Sequence, residues 1–446
     1  MKLIVLLCFA QALVEAQTNS PFQRKYSNIE RLELKHLKAA HEDAQKIRLQ
    51  RANVPPIAGL NDYRCILHAH AVDSAHTGGT LPEMLADARK SGISAILLTD
   101  HFRPPRDFIE GRWRGLKERV LFIPGSEVRG CLVYPETSIL DKMELPFPQF
   151  LKTVTAGNGM IFLSHIEERA DHPTEGFTGL EICNRHYDAK KDMGALIVLA
   201  TKLTDPKELA ELQEALRLYP DELFDFQSDY PQVYLQKWDE GTKTQRLTGI
   251  AANDCHHNQV FVVKMVDEQT VLLGTTVDKD DQMRKVTASA RPGIRELTKG
   301  HKPGDVLVRL DIDPYERSFR NSITHVLATG LDETAIRLSL KSGHAYVAHD
   351  WMCDAKGFRF EAFRADGKSA AIIGDEIDAA KGLKFVAQFP APCQMRLLRD
   401  GARVAEASGA RAEFPVAGPG VYRLEAWLTL DAEARPWIFS NPIYLR

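Results

Sequence analysis

The sequence predicts an α/β fold, with a parallel β-sheet or barrel over residues 61–350 and an all-β sandwich over residues 351–446. Two observations predict this architecture. From about residue 62 to 260, short runs of consecutive apolar residues alternate with helical patterns, as buried parallel strands alternate with helices. From about residue 355, alternating apolar and polar residues with hairpin-turn signals replace that pattern, which is typical of antiparallel sheets.

The composition and the N-terminus bound the class of protein. Hydrophobic residues make up 44% of the 446-residue chain, so a buried core is expected. The formal charge of −3 is near neutral, and nothing in it favours nucleic acid or an acidic membrane surface as a partner. Met1-Lys2, the apolar run Leu3–Val14 and the small Ala16 predict a cleaved signal peptide over residues 1–16. The run is too short to span a bilayer. A secreted or periplasmic protein without stable membrane insertion is therefore expected, and a buried N-terminal helix is the alternative.

The β/α part begins after an N-terminal helical segment, residues 17–60. Apolar residues at helical spacing predict one helix over residues 26–52, which Asn53-Val54-Pro55-Pro56 ends. The predicted buried strands are Arg64–Leu67, Ala95–Leu98, Val120–Ile123, Met160–Leu163, Leu180–Cys183 and Thr248–Ala252. Between the first two, Leu81–Lys90 is amphipathic and Gly92 is a helix C-cap signal, so this segment is a predicted crossover helix.

Residues 258–320 interrupt the alternation and are predicted to be an inserted hairpin and loop. The hairpin strands are Phe261–Val266 and Thr270–Gly274, and a helix follows at Leu331–Leu340. In the predicted sandwich, Arg399-Asp400-Gly401 is a hairpin turn and the strand-like segments are Val421–Leu428 and Ile438–Leu445.

Histidine or carboxylate side chains follow five of the predicted strands. These residues are His68 and His70, Asp100 and His101, Glu127, His165, and Asp254 and His256. Because parallel strands of one sheet end on the same side, the five strand ends are expected to converge where barrel enzymes carry their chemistry. A single histidine at a strand end is more often a structural residue, but five such ends together predict a metal site.

The spacing of these residues suits shared cations. Residues i and i+2 of an extended segment point the same way, so His68 and His70 can bind one ion, as can Asp254 and His256. Mixed imidazole and carboxylate ligands suit Zn, Mn or Fe. His76 can reach the same site from the loop that follows the first pair.

These residues resemble the PHP superfamily, named for polymerase and histidinol phosphatase domains. The resemblance covers roughly residues 60–350 and rests on the motifs His68-Ala-His70, Thr99-Asp100-His101, Gly125-Ser-Glu127, Ser164-His165 and Asn253-Asp254-Cys-His256. Other segments resemble the carbaryl-hydrolase (CehA/McbA) branch of that superfamily. They are Gly179–Asn184, Arg317–Asn321, Gly343–Tyr346, Asp350–Asp354 and Phe439–Tyr444.

The resemblance implies a distorted (β/α)7 barrel that holds two or three divalent metals. By family role, the first metal would be held by His68, His70, Glu127 and Asp254. Glu127 would bridge to a second metal with His165, for which His186 is the nearest further ligand. The third would be held by His76, His101 and His256. The position of His76 often carries aspartate in relatives, and an imidazole there makes the third site less negative. Asp100 and His186 are the candidate catalytic residues.

The first functional hypothesis is hydrolysis of an anionic phosphoester, a small-molecule substrate, by a hydroxide that bridges two metals. Arg103, Arg129 and Arg185 lie near ligand motifs in the sequence, and each is a candidate clamp for the anion. Taken singly, each is more often an ordinary surface ion-pair residue.

Three alternatives stay open. The same metal site could hydrolyse a carboxyl ester, amide or carbamate, because the sequence does not separate carbon from phosphorus electrophiles. The amidohydrolases also use a His-x-His motif after the first strand, but their ligand order differs from Asp100-His101 and Asp254-Cys-His256. The chain could also be a non-catalytic binding protein with a relic barrel, against which the intact ligand set argues.

Overall fold

A computed structural model describes residues 24–446, so the predicted signal peptide lies outside the described residues. The fold is mixed α/β, and its strands form sheets of 14, five and four strands. Within the described part of the chain, no helix has both the length and the apolar character to cross a membrane.

The helices are α1 (Asn28–Arg31), α2 (Leu34–Leu49), α3 (Leu81–Ser91), α4 (Phe147–Val154), α5 (Arg185–Lys191), α6 (Met193–Thr201), α7 (Pro206–Leu218), α8 (Pro220–Asp225), α9 (Gln232–Thr242), α10 (Ile294–Leu297), α11 (Tyr315–Asn321) and α12 (Glu333–Ser342). Within residues 24–446, short 3-10 helices span Leu140–Lys142, Ile166–Glu168 and Lys202–Thr204. The predicted crossover helix is confirmed as α3, which ends at Gly92 in the left-handed conformation that favours glycine.

The first thirteen strands are β1 (Asn61–Ile66), β2 (Ala95–Leu97), β3 (Gly115–Lys117), β4 (Val120–Ile123), β5 (Ser126–Val128), β6 (Cys131–Tyr134), β7 (Met160–Leu163), β8 (Gly179–Asn184), β9 (Thr248–Ala252), β10 (Val260–Asp267), β11 (Thr270–Thr275), β12 (Arg284–Thr287) and β13 (Val306–Asp311). The others are β14 (Ile323–Ala328), β15 (Ala345–Ala348), β16 (Arg359–Phe363), β17 (Ser369–Ile372), β18 (Glu376–Ile377), β19 (Lys384–Arg399), β20 (Ala402–Pro415), β21 (Gly420–Leu430), β22 (Glu433–Ser440) and β23 (Ile443–Leu445).

The single helix predicted over residues 26–52 is two helices. Ser27 and Glu30 form a reciprocal capping box at the start of α1, which ends at Leu32 after one turn. Glu33 then has extended backbone and begins α2. The break turns α2 so that Ala40 and Ala44 pack in the core that is formed mainly by the C-terminal strands.

The six predicted buried strands form, but they are divided between two sheets. β1, β2 and β4 pair in parallel in the 14-stranded sheet, and β7, β8 and β9 pair in parallel in the five-stranded sheet. The β5–β6 hairpin occupies the edge beside β7, with β6 antiparallel to it, so β4 and β7 do not hydrogen-bond directly. A closed (β/α)7 barrel is therefore not shown; among the described residues the sheets are open.

The two parallel sheets face each other across one apolar core. Leu67 and Leu97 from the first sheet pack with Phe162 and Ile250 from the second. Isolated bridges between Ala69 and Cys255, and between His101 and Glu127, join the segments that follow the strands. The ligand-bearing strand ends therefore meet on one side of the molecule, although the strands belong to two sheets.

The predicted hairpin of residues 258–320 is confirmed as β10 and β11, which belong to a four-stranded antiparallel sheet with β12 and β13. The C-terminal strands continue the 14-stranded sheet, because β15 pairs with β22 at Tyr346 and Ser440. The domain boundary at residue 350 stays a prediction. The predicted strand Ile438–Leu445 is interrupted at Asn441, whose side chain hydrogen-bonds Gly249 N, Gly249 O and Ala345 O.

Candidate metal centre

Most of the predicted ligands come together in one buried cluster at the ends of the parallel strands. His68 and His70 follow β1, Glu127 lies in β5, and Asp254 follows β9. The side chains that the structure brings together are those of His68, His70, His76, His101, Glu127, His165, Asp254 and His256.

Glu127 is one of two central carboxylates. Its Oε2 lies 3.6 Å from Nε2 of His68 and 3.7 Å from Nε2 of His70. The same oxygen lies 3.2 Å from Nε2 of His101. Its other oxygen, Oε1, lies 3.1 Å from Nε2 of His165. Glu127 therefore contacts imidazoles on both of its oxygens, as a bridging ligand must.

Asp254 is the second central carboxylate. Its Oδ1 lies 3.3 Å from Nε2 of His68 and 3.5 Å from Nε2 of His70. Its Oδ2 lies 3.5 Å from Nε2 of His165. The His256 ring stacks on the His70 ring with centroids 4.1 Å apart.

The two innermost histidines each leave one nitrogen without a partner. The Nε2 atoms of His68 and His70 are buried and have no hydrogen-bond partner among the described residues. Their Nδ1 atoms instead lie 2.7 Å from Glu181 Oε1 and 3.0 Å from Asp73 Oδ2. In a neutral ring whose Nδ1–H donates to the carboxylate, the form that binds a metal, Nε2 is an unprotonated acceptor that faces Glu127 and Asp254, which is the arrangement of a metal-ligating imidazole.

The outer carboxylates hold the other ligands as well. Asp73 accepts from the His101 backbone N–H at 2.7 Å, and its Oδ2 lies 2.5 Å from His101 Nδ1. Glu167 Oε1 lies 3.1 Å from His165 Nδ1, and Glu181 accepts from the His165 backbone N–H at 2.9 Å. Such partners fix the orientation of metal ligands and raise their basicity.

Ligand atoms come close enough together to share cations in several groups of three. Within each group, one ligand atom from every residue lies within 4.8 Å of the others. The groups around the two central carboxylates and His70 are His68–His70–Glu127, His68–His165–Asp254, His70–His101–His256 and His70–Asp73–Asp100. A further group, His257–Asp311–Asp313, lies where the inserted sheet joins the strand end. Imidazole and carboxylate donors of this kind fit Zn, Mn or Fe.

The His76 loop is tied to the cluster by its glycines. The backbone N–H groups of Gly78 and Gly79 both donate to the His256 carbonyl, at 3.0 and 3.2 Å. A Cβ on Gly79 would overlap the hydroxyl of Tyr315, which donates to the His70 carbonyl. The loop thereby brings Nε2 of the exposed His76 to 3.2 Å from Nε2 of His256.

Two ligands sit on strained backbone. His165 has φ of 49° and Asp254 has φ of 48°, in the left-handed region that side-chain-bearing residues rarely adopt. Strain of this kind costs about 1–3 kcal/mol per residue and clusters at functional sites. Each of the two strained residues lies two residues after the end of a parallel strand, and the backbone conformation turns both side chains toward the shared centre.

Carboxylates dominate the electrostatic surroundings of His68 and His165. Burial disfavours the protonated ring of His68, but the carboxylates of Asp254, Glu181 and Glu127 outweigh it and raise the pKa of His68 to about 10. For His165, the hydrogen bonds that its ring donates to Glu127 and Glu167 outweigh burial in the same way and raise the pKa to about 12. The neighbouring imidazoles hold the pKa of Glu127 and that of Asp254 below their ordinary values, in spite of burial. Such a site favours cations.

The two candidate catalytic residues are in different positions. Asp100 is buried, accepts from the Ala71 N–H at 2.9 Å and forms an ion pair with Arg112, so its carboxylate supports the His70 segment. His186 is half-buried, with its ring centroid 6.1 Å from that of His256. The geometry makes Asp100 a positioning residue and leaves His186 at the edge of the cluster.

The three candidate arginines differ in their surroundings. Arg103 is exposed, and its side chain has no hydrogen bond or ion pair in the part of the chain that the structure describes. Arg129 donates to the carbonyls of Met143 and Leu145 and lies over two phenylalanine rings, so it supports the segment before α4. Arg185 is buried in the wall of a cavity that also includes Asp254 and His256.

The sequence analysis did not identify the outer carboxylates Glu167 and Glu181 as site residues, and Asp73, which lies near the ligand motifs in the sequence, was only a weaker candidate. Glu181 carried a usable signal, since it is a charged residue inside the otherwise uncharged and fully buried strand β8. Asp73 and Glu167 lie in loop and 3-10 segments, where acidic residues are common. Their role follows only from the three-dimensional arrangement.

No protein-family model matches the chain, and no curated protein matches it. Among solved structures, the chain is similar to a crystal structure from Bacteroides vulgatus, of a two-domain protein containing a predicted PHP-like metal-dependent phosphoesterase. The identity is 13%, the match covers 88% of this chain and 98% of that chain, and the TM-score is 0.31. The function proposed below rests on the geometry of the metal centre.

Proposed function

We propose that the chain is a metal-dependent hydrolase of the PHP type that cleaves an anionic phosphoester. One observation carries the proposal: buried Nε2 atoms of His68 and His70 face the carboxylates of Glu127 and Asp254, while their Nδ1 atoms are held by outer carboxylates. Buried polar atoms are nearly always paired, so two imidazole nitrogens that face carboxylates without a hydrogen-bond partner indicate a cation site.

The donor set supports divalent cations. His68, His70, Glu127 and Asp254 would hold the first metal, and Glu127 with His165 would hold a second. His101 and His256, with His76, would hold a third. Bound divalent metals supply Lewis acidity, which activates water near neutral pH and stabilises charge on phosphoryl oxygens.

The protein's own groups prepare the site for this chemistry. Glu127 and Asp254 stay ionised and balance the charge of the cations, because the surrounding imidazoles lower their pKa. Asp73 and Glu181 fix the rings of His70 and His68. His186 is the proposed proton donor to the leaving oxygen. Among the described residues its ring makes no hydrogen bond, so both nitrogens are available to contact a substrate.

The test combines metal analysis with turnover. Purified protein is analysed for bound metals and assayed on p-nitrophenyl phosphate, a phosphodiester, a carboxyl ester and a carbamate. We expect His68→Ala to lose bound metal and to lower kcat/KM at least about 1,000-fold, because it removes an inner ligand. His301→Ala, at an exposed histidine that pairs only with Asp305, is the matched control. Wild-type turnover by His68→Ala would overturn the proposal.

The same panel decides the substrate. Hydrolysis of the carbamate or carboxyl ester, with no phosphoester turnover, would instead favour the carbaryl-hydrolase branch that segments such as Gly343–Tyr346 resemble. A protein that binds metal normally but turns over none of the four substrates would favour a binding role.

We also propose that the protein is exported, as a secreted or periplasmic product. The support is the basic start Met1-Lys2, the apolar run Leu3–Val14 and the small residue Ala16. Sequencing the N-terminus of the protein from its native host tests this. A mature chain that begins at Gln17 is expected, and one that keeps Met1 would contradict export by cleavage.

A further inference from the structure

A fully buried histidine outside the metal centre, His325, lies between two carboxylates. Its Nδ1 lies 2.7 Å from Oδ1 of Asp62, and its Nε2 lies 3.2 Å from Oδ2 of Asp350. Asp62 lies in β1, His325 in the neighbouring strand β14, and Asp350 follows β15. The His325 ring also stacks on that of Tyr346 in β15, with centroids 4.5 Å apart. Residues from three adjacent strands and the segment that follows them therefore converge on one imidazole.

Both carboxylates also accept hydrogen bonds from other groups. Asp62 accepts from the Tyr346 hydroxyl at 2.6 Å and from the Gly357 N–H at 3.0 Å. Asp350 accepts from Nε of Arg64 at 2.9 Å. Hydrogen bonds donated to a carboxylate favour its ionised form, so both of these side chains are anions.

A ring whose two nitrogens both face ionised carboxylates must donate from both. An ionised carboxylate has no proton to give, so Nδ1 and Nε2 of His325 each carry a hydrogen and the ring is a cation. Its network holds, among the described residues, three carboxylates and two guanidinium groups, which belong to Asp62, Asp350, Asp354, Arg64 and Arg51. A cationic ring balances these charges, whereas a neutral ring leaves one negative charge in excess, which is costly in a buried network.

The surroundings keep the proton on His325 through the neutral pH range. Burial disfavours the protonated ring, but the carboxylates of Asp62 and Asp350 outweigh it and raise the pKa of His325 to about 9. In spite of burial, the contact with His325 lowers the pKa of Asp350 to about 2 and holds that of Asp62 below its usual value. Burial raises the pKa of Tyr346 well above its usual value, and the Asp350 carboxylate raises the pKa of Arg64 in spite of burial. Of these facing groups, His325 is therefore the one that changes charge between about pH 6 and about pH 10.

The network fastens the segment that connects β15 to β16, residues 350–357. At one end of this segment Asp350 contacts His325, and the Ala355 N–H donates to Asp350 at 3.0 Å. At the other end the Gly357 N–H donates to the second carboxylate partner of the ring, in β1. Several side chains of the segment are buried in the core that the C-terminal strands form. The imidazole therefore links the first parallel strand to the start of the C-terminal strands.

We propose that His325 is a charged imidazolium that locks residues 350–357 to β1 in neutral solution, and that its deprotonation in alkaline solution releases this segment. Loss of the proton to solvent removes one of the two N–H donors, so Asp62 or Asp350 loses its partner and its charge is no longer compensated. The device is a pH-sensitive lock, and it does not depend on the metal centre.

The sign of the pH dependence follows from the raised pKa. An unperturbed histidine titrates near about pH 6.5, and His325 in the folded protein titrates near about 9. The lock therefore contributes its full stability below about pH 6.5, loses it as the pH rises toward about 9 and contributes nothing further above that.

The direct experiment is NMR of the full-length protein labelled with 15N-histidine, from about pH 6 to about pH 10. Ring-nitrogen shifts distinguish an imidazolium from either neutral tautomer, and the His325 signals are identified by their loss in His325→Gln. Thermal unfolding and hydrogen exchange of residues 350–357 are measured on the wild type, His325→Gln and Asp350→Asn over the same range. His344→Gln is the matched control, because His344 pairs with a single carboxylate, Asp375, and is partly exposed.

We expect an imidazolium at about pH 7 and a transition to a neutral ring near about pH 9. Asp350→Asn should move this transition down by about one pH unit or more, because one of the two carboxylates is lost. At about pH 7 the Tm of His325→Gln should lie about 5 °C or more below that of the wild type, and the difference should shrink through about pH 9. Protection of residues 350–357 in the wild type should fall over the same interval, and His344→Gln should keep the wild-type pH dependence.

A His325 ring that is neutral at about pH 7 would overturn the proposal, since a carboxyl group would then hold the proton. A Tm difference between the wild type and His325→Gln that is constant across the pH range would also overturn it, because a merely structural ring gives that result. Comparing the variants with the wild type at each pH removes the titration of the metal centre, which they share. If His325→Gln does not fold, the shift of the ring transition and of segment protection in Asp350→Asn decides.

Discussion

Replacing Glu181 by glutamine tests whether the outer carboxylates determine metal affinity. Glu181 is fully buried in β8, and its Oε1 lies 2.7 Å from His68 Nδ1. Its Oε2 accepts from the His165 N–H at 2.9 Å and from Asn184 Nδ2 at 3.2 Å. One carboxylate therefore orients two ligand-bearing segments that come from different strands.

The expected loss of metal affinity follows from the number of hydrogen-bond acceptors that the substitution removes. Glutamine keeps one oxygen and presents an NH2 group where the second oxygen was, so either His68 Nδ1–H or the His165 N–H loses its acceptor. If the glutamine NH2 group faces Nδ1 of His68, Nδ1 must accept a hydrogen bond and the ring proton moves to Nε2. Nε2 then has no lone pair to offer a metal between Glu127 and Asp254. Loss of a hydrogen bond to a charged group costs about 2 kcal/mol, which is about 30-fold in metal affinity. This lies within the usual 10- to 100-fold effect of such partners.

The assay is competition for metal with a chromophoric chelator, together with thermal unfolding of the metal-free protein. Glu361→Gln is the matched control, because Glu361 is also a buried strand carboxylate but pairs with Arg359, away from the cluster. We expect weaker metal binding only in Glu181→Gln. Metal affinity within twofold of the wild type in Glu181→Gln would refute the assigned role of this carboxylate.

Two further predictions concern protons and the His76 loop. At about pH 7, the metal-free protein should hold protons on both His68 and His165, whose pKa values are raised to about 10 and about 12, so metal loading should release about two protons and metal affinity should rise with pH. Calorimetric titrations in buffers of different ionisation enthalpy measure this release, and none would contradict it. Gly79→Ala should lower the stability by about 1–3 kcal/mol and weaken metal binding, because its Cβ overlaps the Tyr315 hydroxyl. Gly194→Ala, in α6 with more room for a Cβ, is the control in the same unfolding and chelator assays, and equal behaviour of the two variants would count against the loop's role.

The local elements of the fold were predictable from the sequence because short-range signals determine them. Consecutive apolar residues predict β4 and β7 with the bounds that the structure shows, and the Gly92 signal predicts the end of α3. The helix break after Leu32 was not predicted, because the Ser27–Glu30 capping box acts within a pattern that is amphipathic throughout. The position of the helix break is therefore determined by the local capping box and not by the helical spacing of the apolar residues.

The pairing of the strands was not predictable in the same way. Apolar runs show that strands are buried, but not which strand lies beside which, since pairing depends on contacts distant in sequence. The β5–β6 hairpin separates the two parallel sheets, and its strands of three and four residues carry a weak signal. The expectation that all ligand-bearing strands belong to one sheet was therefore wrong. The strands belong to two sheets, and their ends nevertheless meet at one site.

The site shows the same division between local and long-range signals. Ligands such as His68 and His165 follow predicted strands directly, so their neighbourhood could be foreseen. The sequence does not show which candidate arginine could contact a substrate, since Arg129 and Arg185 both lie near a ligand motif. Only the tertiary structure shows that Arg129 is satisfied by carbonyls whereas Arg185 has unpaired N–H groups.

The most direct test of the account is anomalous diffraction from crystals of the metal-loaded protein, measured on both sides of the absorption edge of the metal found by elemental analysis. The account predicts anomalous peaks bonded to Nε2 of His68 and His70 and to the carboxylates of Glu127 and Asp254. Metal bound only elsewhere, for example at His257, Asp311 and Asp313, or no metal in fully loaded crystals, would contradict it.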